Sequence, residues 1–172
     1  MLNATQKKHR KISANNAFCI VTLVSGLLLL LIQAAIEKQP QTLPVSAKAQ
    51  ISGQAIELEV AQTPQQQSMG LMYRDELSDT RGMLYTINPP RPVKIWLQNM
   101  RFPVDIVYLQ NGQIEAIQVE AKPCEAIACP TYSSKATVDQ MIQLRGGTIA
   151  ELGMKVGDRV PIQFLNGEIP GI

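Results

Sequence analysis

The feature that most constrains this chain is a stretch of twenty uncharged residues that runs from Ala17 to Ile36. A helix of that length rises about 30 Å, which matches the hydrocarbon thickness of a bilayer. Four basic residues lie just before the stretch, at positions 7, 8, 10 and 11. Because basic residues stay on the cytoplasmic side of a membrane, the rest of the chain is expected on the other side. Residues 1–36 are therefore predicted to be a basic region followed by a signal peptide or a membrane anchor.

The fate of this N-terminal segment has two interpretations. Ala47-Lys48-Ala49 fits a signal-peptidase site, and cleavage there would leave Gln50 as the first residue. An uncleaved anchor is the alternative, because an uncharged stretch of twenty residues exceeds the usual signal-peptide core, and the membrane is then a partner. Residues 37–49, which contain two prolines, are predicted to be a linker or a cleavage region. In either case the following domain is expected to be exported, periplasmic or extracellular, where disulfides persist.

The composition of the exported part excludes several classes of function. Residues 50–172 carry ten basic and thirteen acidic side chains, a net charge of −3, and no block of Lys and Arg. Nucleic-acid-binding domains are typically basic, so no nucleic-acid partner is expected. The only histidine, His9, lies in the N-terminal region. The domain therefore lacks the residue required for Ser-His-Asp or Cys-His catalysis and for a His-ligated zinc or haem, and no cofactor is expected.

Apolar periodicity predicts one mostly β domain over residues 50–167, followed by a tail at 168–172. In residues 55–60 the alternation has period two, which places Ile56, Leu58 and Val60 on one face of a strand. Further strands are predicted at 82–87, 93–98, 104–109, 113–120 and 159–164, and the segment 137–144 fits a strand or a helix.

Turn and capping signals complete the fold prediction. Asn111-Gly112 is the preferred pair for a two-residue type I′ turn, so the strands on either side are predicted to form a hairpin. Thr63 with Gln66, and Thr148 with Glu151, match the capping-box pattern that opens a helix. About seven strands and two short helices predict an α+β, mostly β domain with a compact, barrel-like sheet.

Two cysteines, Cys124 and Cys129, are flanked by prolines and have four residues between them. In an exported domain this spacing favours a structural disulfide that closes a small loop. Redox exchange and soft-metal binding are the alternatives, although a catalytic dithiol usually has two intervening residues. Six methionines also follow position 50, and thioethers together with thiolates suit Cu(I). Their spacing forms no repeated block, so core filling by methionine is the simpler interpretation.

Five polar or aromatic residues are candidate ligand-binding residues: Arg74, Trp96, Asn99, Asp105 and Tyr132. Asp105 lies in an apolar strand, where an unpaired acid is costly to bury. It is either a structural acid, held by backbone amides or by an arginine such as Arg74, or a carboxylate of a functional site. Trp96, the only tryptophan, lies near amide and carboxylate groups as on a sugar-binding surface, although a lone tryptophan is also common in a core.

Several motifs resemble those of a known family. Residues 70–77, Gly-Leu-Met-Tyr-Arg-Asp-Glu-Leu, followed by Gly-Met-Leu-Tyr at 82–85, resemble the opening signature of the domain-of-unknown-function 192 family, also called UPF 0127. Residues 95–106 resemble its central Phe-Trp-Met-Lys-Asn-Thr-x-Ile-Pro-Leu-Asp-Ile block. Residues 123–132 resemble its cysteine motif, and Gly146 with Gly157-Asp158 resembles its closing motif.

The resemblance covers about residues 53–165 and includes three departures from the family pattern. Gln98 replaces the usual lysine, Met100 the usual threonine, and Asp139-Gln140 the usual Leu-Glu. The resemblance implies a compact β-rich fold that is often exported behind a signal or an anchor. It implies no reaction, because the family has no settled activity.

Three functions are compatible with these observations. The leading hypothesis is a non-catalytic, envelope-associated binding or accessory module for a small molecule, a glycan or an envelope protein. The alternative is an enzyme that acts on a cell-wall glycan with Asp105 and a glutamate, which requires two carboxyl groups about 5–10 Å apart in one cleft. The third is copper or soft-metal handling, which requires Cys124 or Cys129 close to a methionine sulfur and is excluded if the two cysteines are bonded to each other.

Overall fold

The structure is a computed structural model that describes residues 39–126 and 128–165. Over these ranges it contains nine strands and two helices: β1 Val45–Ile51, β2 Gln54–Ala61, α1 Pro64–Met69, β3 Arg81–Arg91, β4 Lys94–Ile95, β5 Val104–Gln110, β6 Gln113–Ala121, β7 Tyr132–Ser133, β8 Val138–Arg145, α2 Thr148–Leu152 and β9 Ile162–Phe164. The predicted α+β, mostly β class with two short helices is confirmed. No helix in the described ranges is long and apolar enough to cross a membrane. The stretch 17–36 and the tail 168–172 lie outside the described residues.

Seven of the strands form one sheet in the order β6-β5-β8-β3-β2-β1-β9, and β4 pairs with β7 in a separate ribbon. All neighbours in the large sheet are antiparallel except β2 and β3. Residues 157–160, just before β9, also form three backbone hydrogen bonds of 2.8–2.9 Å with Gly112 and Ile114 at the start of β6. These bonds cover part of the free edge of β6, so the sheet is barrel-like without being closed.

The hairpin between β5 and β6 forms as the sequence predicts. Gln110 pairs with Gln113 across a two-residue turn. Asn111 and Gly112 have φ values of 50° and 74°, and a type I′ turn requires positive φ at both positions.

The large sheet buries apolar side chains on both faces. The first core contains Leu58 of β2, Leu84 of β3, Ile142 of β8 and Ile149 of α2. The second core, on the opposite face, contains Met83, Tyr85, Ile106, Tyr108 and Met141 of the sheet, together with Leu71, Leu97 and Met100 from irregular segments. The candidate functional site lies on the face of this second core, because the irregular segments cover it only in part.

The predicted boundary between linker and domain is wrong. Residues 45–49, assigned to the linker, belong to β1, which pairs with β2 on one side and β9 on the other. Ala47 and Ala49 are fully buried in the first core. The folded domain therefore begins at about Val45, and the proposed cleavage after Ala49 would cut within a strand of the sheet.

The structure decides one open alternative and shortens two of the predicted strands. The segment 137–144 is a strand, which excludes the helix alternative. The strand expected at 93–98 is limited to Lys94–Ile95, since its partner β7 has two residues. The strand expected at 159–164 is limited to Ile162–Phe164, because Pro161 has no N–H for the ladder and the residues before it bond to β6.

The capping box expected at Thr148 does not form. The N-cap residue of α2 is Gly147, with φ of 96°. Glycine has no side chain, so it cannot accept a hydrogen bond from the first turn of the helix. Glu151 instead accepts two hydrogen bonds of 2.8 Å from Arg145. The first turn of α2 receives its acceptor from β5, as described below.

Candidate functional site

One wall of the site is built by α1, which begins at the predicted capping box. Gln66 N donates to Thr63 Oγ1 at 3.2 Å, and Gln66 Oε1 accepts the N–H groups of Gln62 and Thr63. The helix ends at Met69, and the N–H of the C-cap residue Gly70 donates to Gln66 O at 2.8 Å. A helix of six residues is too short to be stable alone, so contacts with the rest of the domain must hold it.

Two glutamine side chains provide those contacts. Gln67 Nε2 donates to Ala61 O and Thr86 O, both at 3.2 Å, and so ties the helix to β2 and β3. Gln41 Nε2 donates to Gln66 O and Gly70 O, both at 2.8 Å. The chain just before β1 is thereby attached to the C-terminal end of α1.

The cleft lies between α1 and the segment that follows β4, over β3 and β8. We use "the cleft" for this cavity, which has a volume of about 160 Å³. A cavity of about 150 Å³ is enough for a benzene-sized molecule. The lining residues used below are the glutamines Gln67, Gln98 and Gln143, the methionines Met69, Met72, Met100 and Met141, and Gly70, Tyr85, Arg91 and Trp96.

The floor of the cleft is a buried pair between β3 and β8. Tyr85 Oη donates to Gln143 Oε1 at 2.8 Å. Burial raises the pKa of the Tyr85 hydroxyl, which therefore remains a hydrogen-bond donor. Gly70 packs directly on this hydroxyl, since a Cβ at position 70 would lie 2.6 Å from Tyr85 Oη. Because Gly70 has no side chain, the C-terminal end of α1 can pack directly against Tyr85.

The mouth of the cleft carries an exposed aromatic ring. The Trp96 side chain is 57% exposed, and no other aromatic residue is among the exposed large apolar residues of the described chain. Arg91, which is also exposed, is the single charged residue among the lining residues. The cleft thus combines an indole surface, one guanidinium group, neutral amides and thioethers.

Comparison with known proteins assigns the chain to a family. The model of the family DUF192, described as "Uncharacterized ACR", matches residues 46–162. The chain belongs to the DUF192 family. This match confirms the resemblance seen in the motifs, and its start at residue 46 agrees with the position of β1 in this DUF192 domain.

Two solved structures resemble this DUF192 chain, each at 29% identity and a TM-score of 0.61. One, from Sinorhizobium meliloti 1021, is described as a "putative transcription regulator", and the match covers 70% of this chain and 97% of that one. The other is a protein of unknown function from Novosphingobium aromaticivorans DSM 12444, with 72% and 92% covered. Among curated proteins no significant match exists.

Of the five candidate ligand-binding residues, Trp96 is the one that lines the cleft. Asn99 has φ of 59° and does not line the cleft, although its chain neighbours Gln98 and Met100 do. Its carbonyl accepts the N–H of Tyr73 at 2.9 Å, and its N–H donates to Cys124 O at 3.3 Å. Tyr132, in β7, pairs with Ile95 of β4, and its hydroxyl accepts the N–H of Lys122 at 3.1 Å. These contacts hold the segment that carries Trp96.

Arg74 binds another side chain of the domain and not Asp105. Its two terminal nitrogens donate to the two oxygens of Glu59 at 2.9 and 2.6 Å, and Glu59 also accepts the N–H of Leu43 at 2.8 Å. Burial alone raises the pKa of Glu59, but the hydrogen bonds and the positive charges of Arg74 and Arg81 outweigh it, so its pKa lies below the usual value. The pair joins β2 to the segment after α1.

Asp105 is buried inside the domain, with 0% of its surface exposed. Its Oδ1 accepts the N–H of Glu120 at 2.7 Å, and its Oδ2 accepts the N–H of Ile149 at 2.7 Å. Glu120 has φ of 44° and lies where the β5–β6 register shifts. Both carboxylate oxygens therefore hold backbone groups, one in an irregular part of β6 and one in the first turn of α2, and neither faces the cleft.

The predicted disulfide is present. Cys124 and Cys129 are bonded, with their Cα atoms 5.7 Å apart. Cys124 N also donates to Leu97 O at 3.0 Å, so the bridged loop is attached to the cleft wall. Because both sulfur atoms form the disulfide, a copper site that uses either cysteine is excluded. In the part of the chain that the structure describes, no group of three or more His, Cys, Asp and Glu residues is placed to hold a metal.

Most residues of the cleft could not be found from sequence. The lining glutamines and methionines come from three separate segments: 67–72, 96–100 and 141–143. The unusual number of methionines was the one available signal, and it became informative only when the fold brought four of them to the same cavity.

Proposed function

We propose that this DUF192 domain is a non-catalytic, envelope-facing binding module whose ligand occupies the cleft. The observation that carries the proposal is the exposed Trp96 at the mouth of a cavity with a buried Tyr85–Gln143 pair at its floor. Binding sites typically combine apolar walls with a few fixed polar groups, and this cavity has that composition.

The lack of carboxylates in the described lining supports binding over carboxylate catalysis. Glycoside hydrolysis needs two carboxyl groups about 5–10 Å apart around the substrate. No Asp or Glu belongs to the described lining of the cleft. Asp105, the carboxylate on which the enzyme hypothesis depended, is enclosed and has both oxygens occupied.

Three kinds of ligand remain within this proposal: a small molecule, a glycan fragment and a side chain of an envelope protein. Trp96 offers a flat apolar surface on which a sugar ring or an aromatic group can stack. Gln98 is half-buried next to it and supplies both a donor and an acceptor.

The envelope location is part of the proposal and has two supports. The four basic residues and the uncharged stretch 17–36 are typical of a chain exported across the cytoplasmic membrane. The Cys124–Cys129 disulfide is the kind of bond that persists in an oxidising compartment. A protease added to cells whose outer layers have been opened should digest the domain while a cytoplasmic marker stays intact, and protection of both would contradict export.

Nucleic-acid binding is not part of the proposal. The "putative transcription regulator" description belongs to the Sinorhizobium meliloti protein. Residues 50–172 of this chain have a net charge of −3, and DNA binding depends on basic residues that neutralise phosphates.

The test is a ligand screen against the full-length chain, read by melting temperature. The panel contains cell-wall glycan fragments, short peptides and metal ions. A ligand at one hundred times its Kd adds about 2.7 kcal/mol to the free energy of unfolding, which is a readily measured shift. Trp96→Ala should remove the shift without changing the melting temperature of the free protein, because the ring is mostly exposed.

The matched control is Val156→Ala, which shortens another exposed apolar side chain, away from the cleft. It should leave ligand binding unchanged. Equal loss of binding in both variants, or a hit that Trp96→Ala leaves unaffected, would contradict binding in the cleft. Conversion of the hit to a product by the purified chain would contradict a non-catalytic role.

A further inference from the structure

The lining of the cleft changes in character between its opening and its interior. Three of the lining residues are exposed: Ser68, Arg91 and Trp96. Exposed residues of a cavity lie where it meets solvent, so a hydroxyl, a guanidinium group and an indole surround the opening. Apart from the hydrogen-bonded pair at the floor, the buried part of the lining is mainly apolar, and Leu71 and Leu97 are only 1% and 2% exposed. A ligand that fits has an apolar body and a polar head.

Arg91 has no acidic partner in the described parts of the chain. Four other arginines form ion pairs with Asp or Glu: Arg74, Arg81, Arg101 and Arg145. None of the ion pairs within residues 39–126 and 128–165 includes Arg91. Its Nη1 donates to Pro89 O at 3.5 Å, which is longer than an ordinary hydrogen bond. Most of the five N–H groups of this guanidinium are therefore left for a ligand.

The charge of the cleft is opposite in sign to that of the domain. Its described lining contains Arg91 and no Asp or Glu, whereas residues 50–172 have a net charge of −3. Exposed charges are screened beyond about 8 Å at physiological ionic strength, so a guanidinium in the lining has more effect on a ligand than charges on the far side of the domain. A single guanidinium can donate two parallel hydrogen bonds to a carboxylate. The opening therefore suits a monovalent anion.

The interior of the cleft suits an aromatic ring. Its volume of about 160 Å³ is close to the 150 Å³ or so that accommodates benzene. Methionine thioethers make favourable contacts with aromatic rings, and four methionines belong to the lining. A sugar ring of similar size would instead bring several hydroxyl groups, and burying them against apolar side chains without hydrogen-bond partners is costly.

We infer that the cleft binds a small aromatic carboxylic acid, with its ring in the apolar interior and its carboxylate at the opening, bound to Arg91. This inference rests on the proposed binding function and names the class of ligand for the same cleft. Trp96 offers the entering ring a second aromatic surface at the opening. The acid binds as its anion, and no covalent bond is made or broken.

The test compares three probes on the full-length chain by calorimetry and by the fluorescence of its single tryptophan, Trp96. Benzoate carries the ring and the charge, benzamide keeps the ring without the charge, and glucuronate keeps the charge on a sugar ring. Benzoate should bind with one equivalent and at least tenfold more tightly than either of the other two. Added salt should weaken the binding of benzoate more than that of benzamide, because ions screen an exposed charge pair.

Two arginine variants form a matched pair. Arg91→Gln should weaken benzoate binding at least tenfold and leave the weak binding of benzamide unchanged, because only the carboxylate uses the guanidinium. Arg159→Gln removes the same charge from another exposed position that does not line the cleft, and it should bind benzoate as the unmodified protein does. Both side chains are exposed, so both variants should keep the melting temperature of the unmodified protein.

The possible results separate this inference from the broader function. Absence of benzoate binding, equal affinities for benzoate and benzamide, or equal losses in Arg91→Gln and Arg159→Gln would each overturn the anion at Arg91. Glucuronate binding as tight as that of benzoate would overturn the aromatic ring. If a ligand from the screen still depends on Trp96 in any of these cases, the binding function stands and only the ligand class assigned to the cleft fails.

Discussion

The carboxylate of Asp105 and the backbone N–H of Ile149 are joined by a hydrogen bond of 2.7 Å, although 44 residues separate them in the chain. Ile149 lies in the first turn of α2, where N–H groups have no partner within the helix. Asp105 therefore does for α2 what a capping side chain normally does from within the helix. Its second oxygen binds Glu120, so one buried side chain connects β5, β6 and α2.

The first prediction follows from this position. Asp105→Asn keeps the shape of the side chain, but its NH₂ group must face one of the two N–H donors and leave it without an acceptor. Loss of a hydrogen bond to a charged group together with an unsatisfied buried donor should lower the free energy of unfolding by about 3 kcal/mol. Urea denaturation measures the change. Asp139→Asn is the control, because the half-buried Asp139 accepts one N–H, that of Asn111, and should cost about 1 kcal/mol.

The role of Asp105 illustrates which parts of this fold are readable from sequence. The Asn111-Gly112 hairpin and the Thr63 capping box were predicted correctly because each depends on residues within four positions of one another. The acceptor for α2 and the partner of Arg74 come from distant strands, and no local pattern identifies them. The cleft is likewise formed by four separate segments, 67–72, 85–91, 93–100 and 141–143, which explains why Trp96 alone was anticipated.

The second prediction concerns acid. Because the pKa of Glu59 is lowered in the folded state, its ion pair with Arg74 stabilises the domain above the ordinary value of 4.5. That contribution should decrease as the pH falls below 4.5 and through the lowered pKa. The free energy of unfolding of Glu59→Gln should therefore vary less than that of the unmodified protein between about pH 5 and pH 3. Glu115→Gln, which removes an exposed carboxyl group from β6, is the matched control for the loss of one negative charge.

The third prediction compares two glycines. Gly70 and Gly153 both have positive φ, of 49° and 64°, but a Cβ at Gly70 would lie 2.6 Å from Tyr85 Oη, whereas a Cβ at Gly153 meets no atom within 4 Å. Gly153, with ψ of 28°, is in the left-handed helical region, where alanine costs about 1–2 kcal/mol. Gly70, with ψ of −131°, lies outside that region in a conformation that residues with a Cβ rarely adopt. Gly70→Ala should cost more and also displace the Tyr85–Gln143 pair, and therefore abolish ligand binding in the cleft. Equal stabilities, or unchanged binding in Gly70→Ala, would show that the contact does not shape the site.

The fourth prediction concerns the disulfide. Replacing Cys124 and Cys129 by serine opens a loop of about six residues, which should cost about 2 kcal/mol by chain entropy. Because Cys124 is hydrogen-bonded to Leu97 and Asn99, the amides of Cys124 and Asn99 should also exchange faster with solvent, whereas that of Val107 in β5 should change less. Hydrogen exchange measures both. In the unmodified protein isolated from its native compartment, complete alkylation of both thiols without a reductant would contradict the bridge.

The last prediction concerns the N-terminal boundary of the domain. Ala47 and Ala49 of β1 are completely buried, and β1 separates β2 from β9 in the sheet. A chain that begins at Gln50 loses five of the seven residues of β1, which leaves β9 without its partner strand and opens the first core. It should therefore lack a cooperative thermal transition, whereas a chain that begins at Pro40 keeps β1 and the Gln41 contacts to α1 and should melt normally. Mass spectrometry of the protein isolated from its native cells should accordingly find no N-terminus at Gln50, and a stable, cooperatively melting chain that begins there would show that β1 is dispensable.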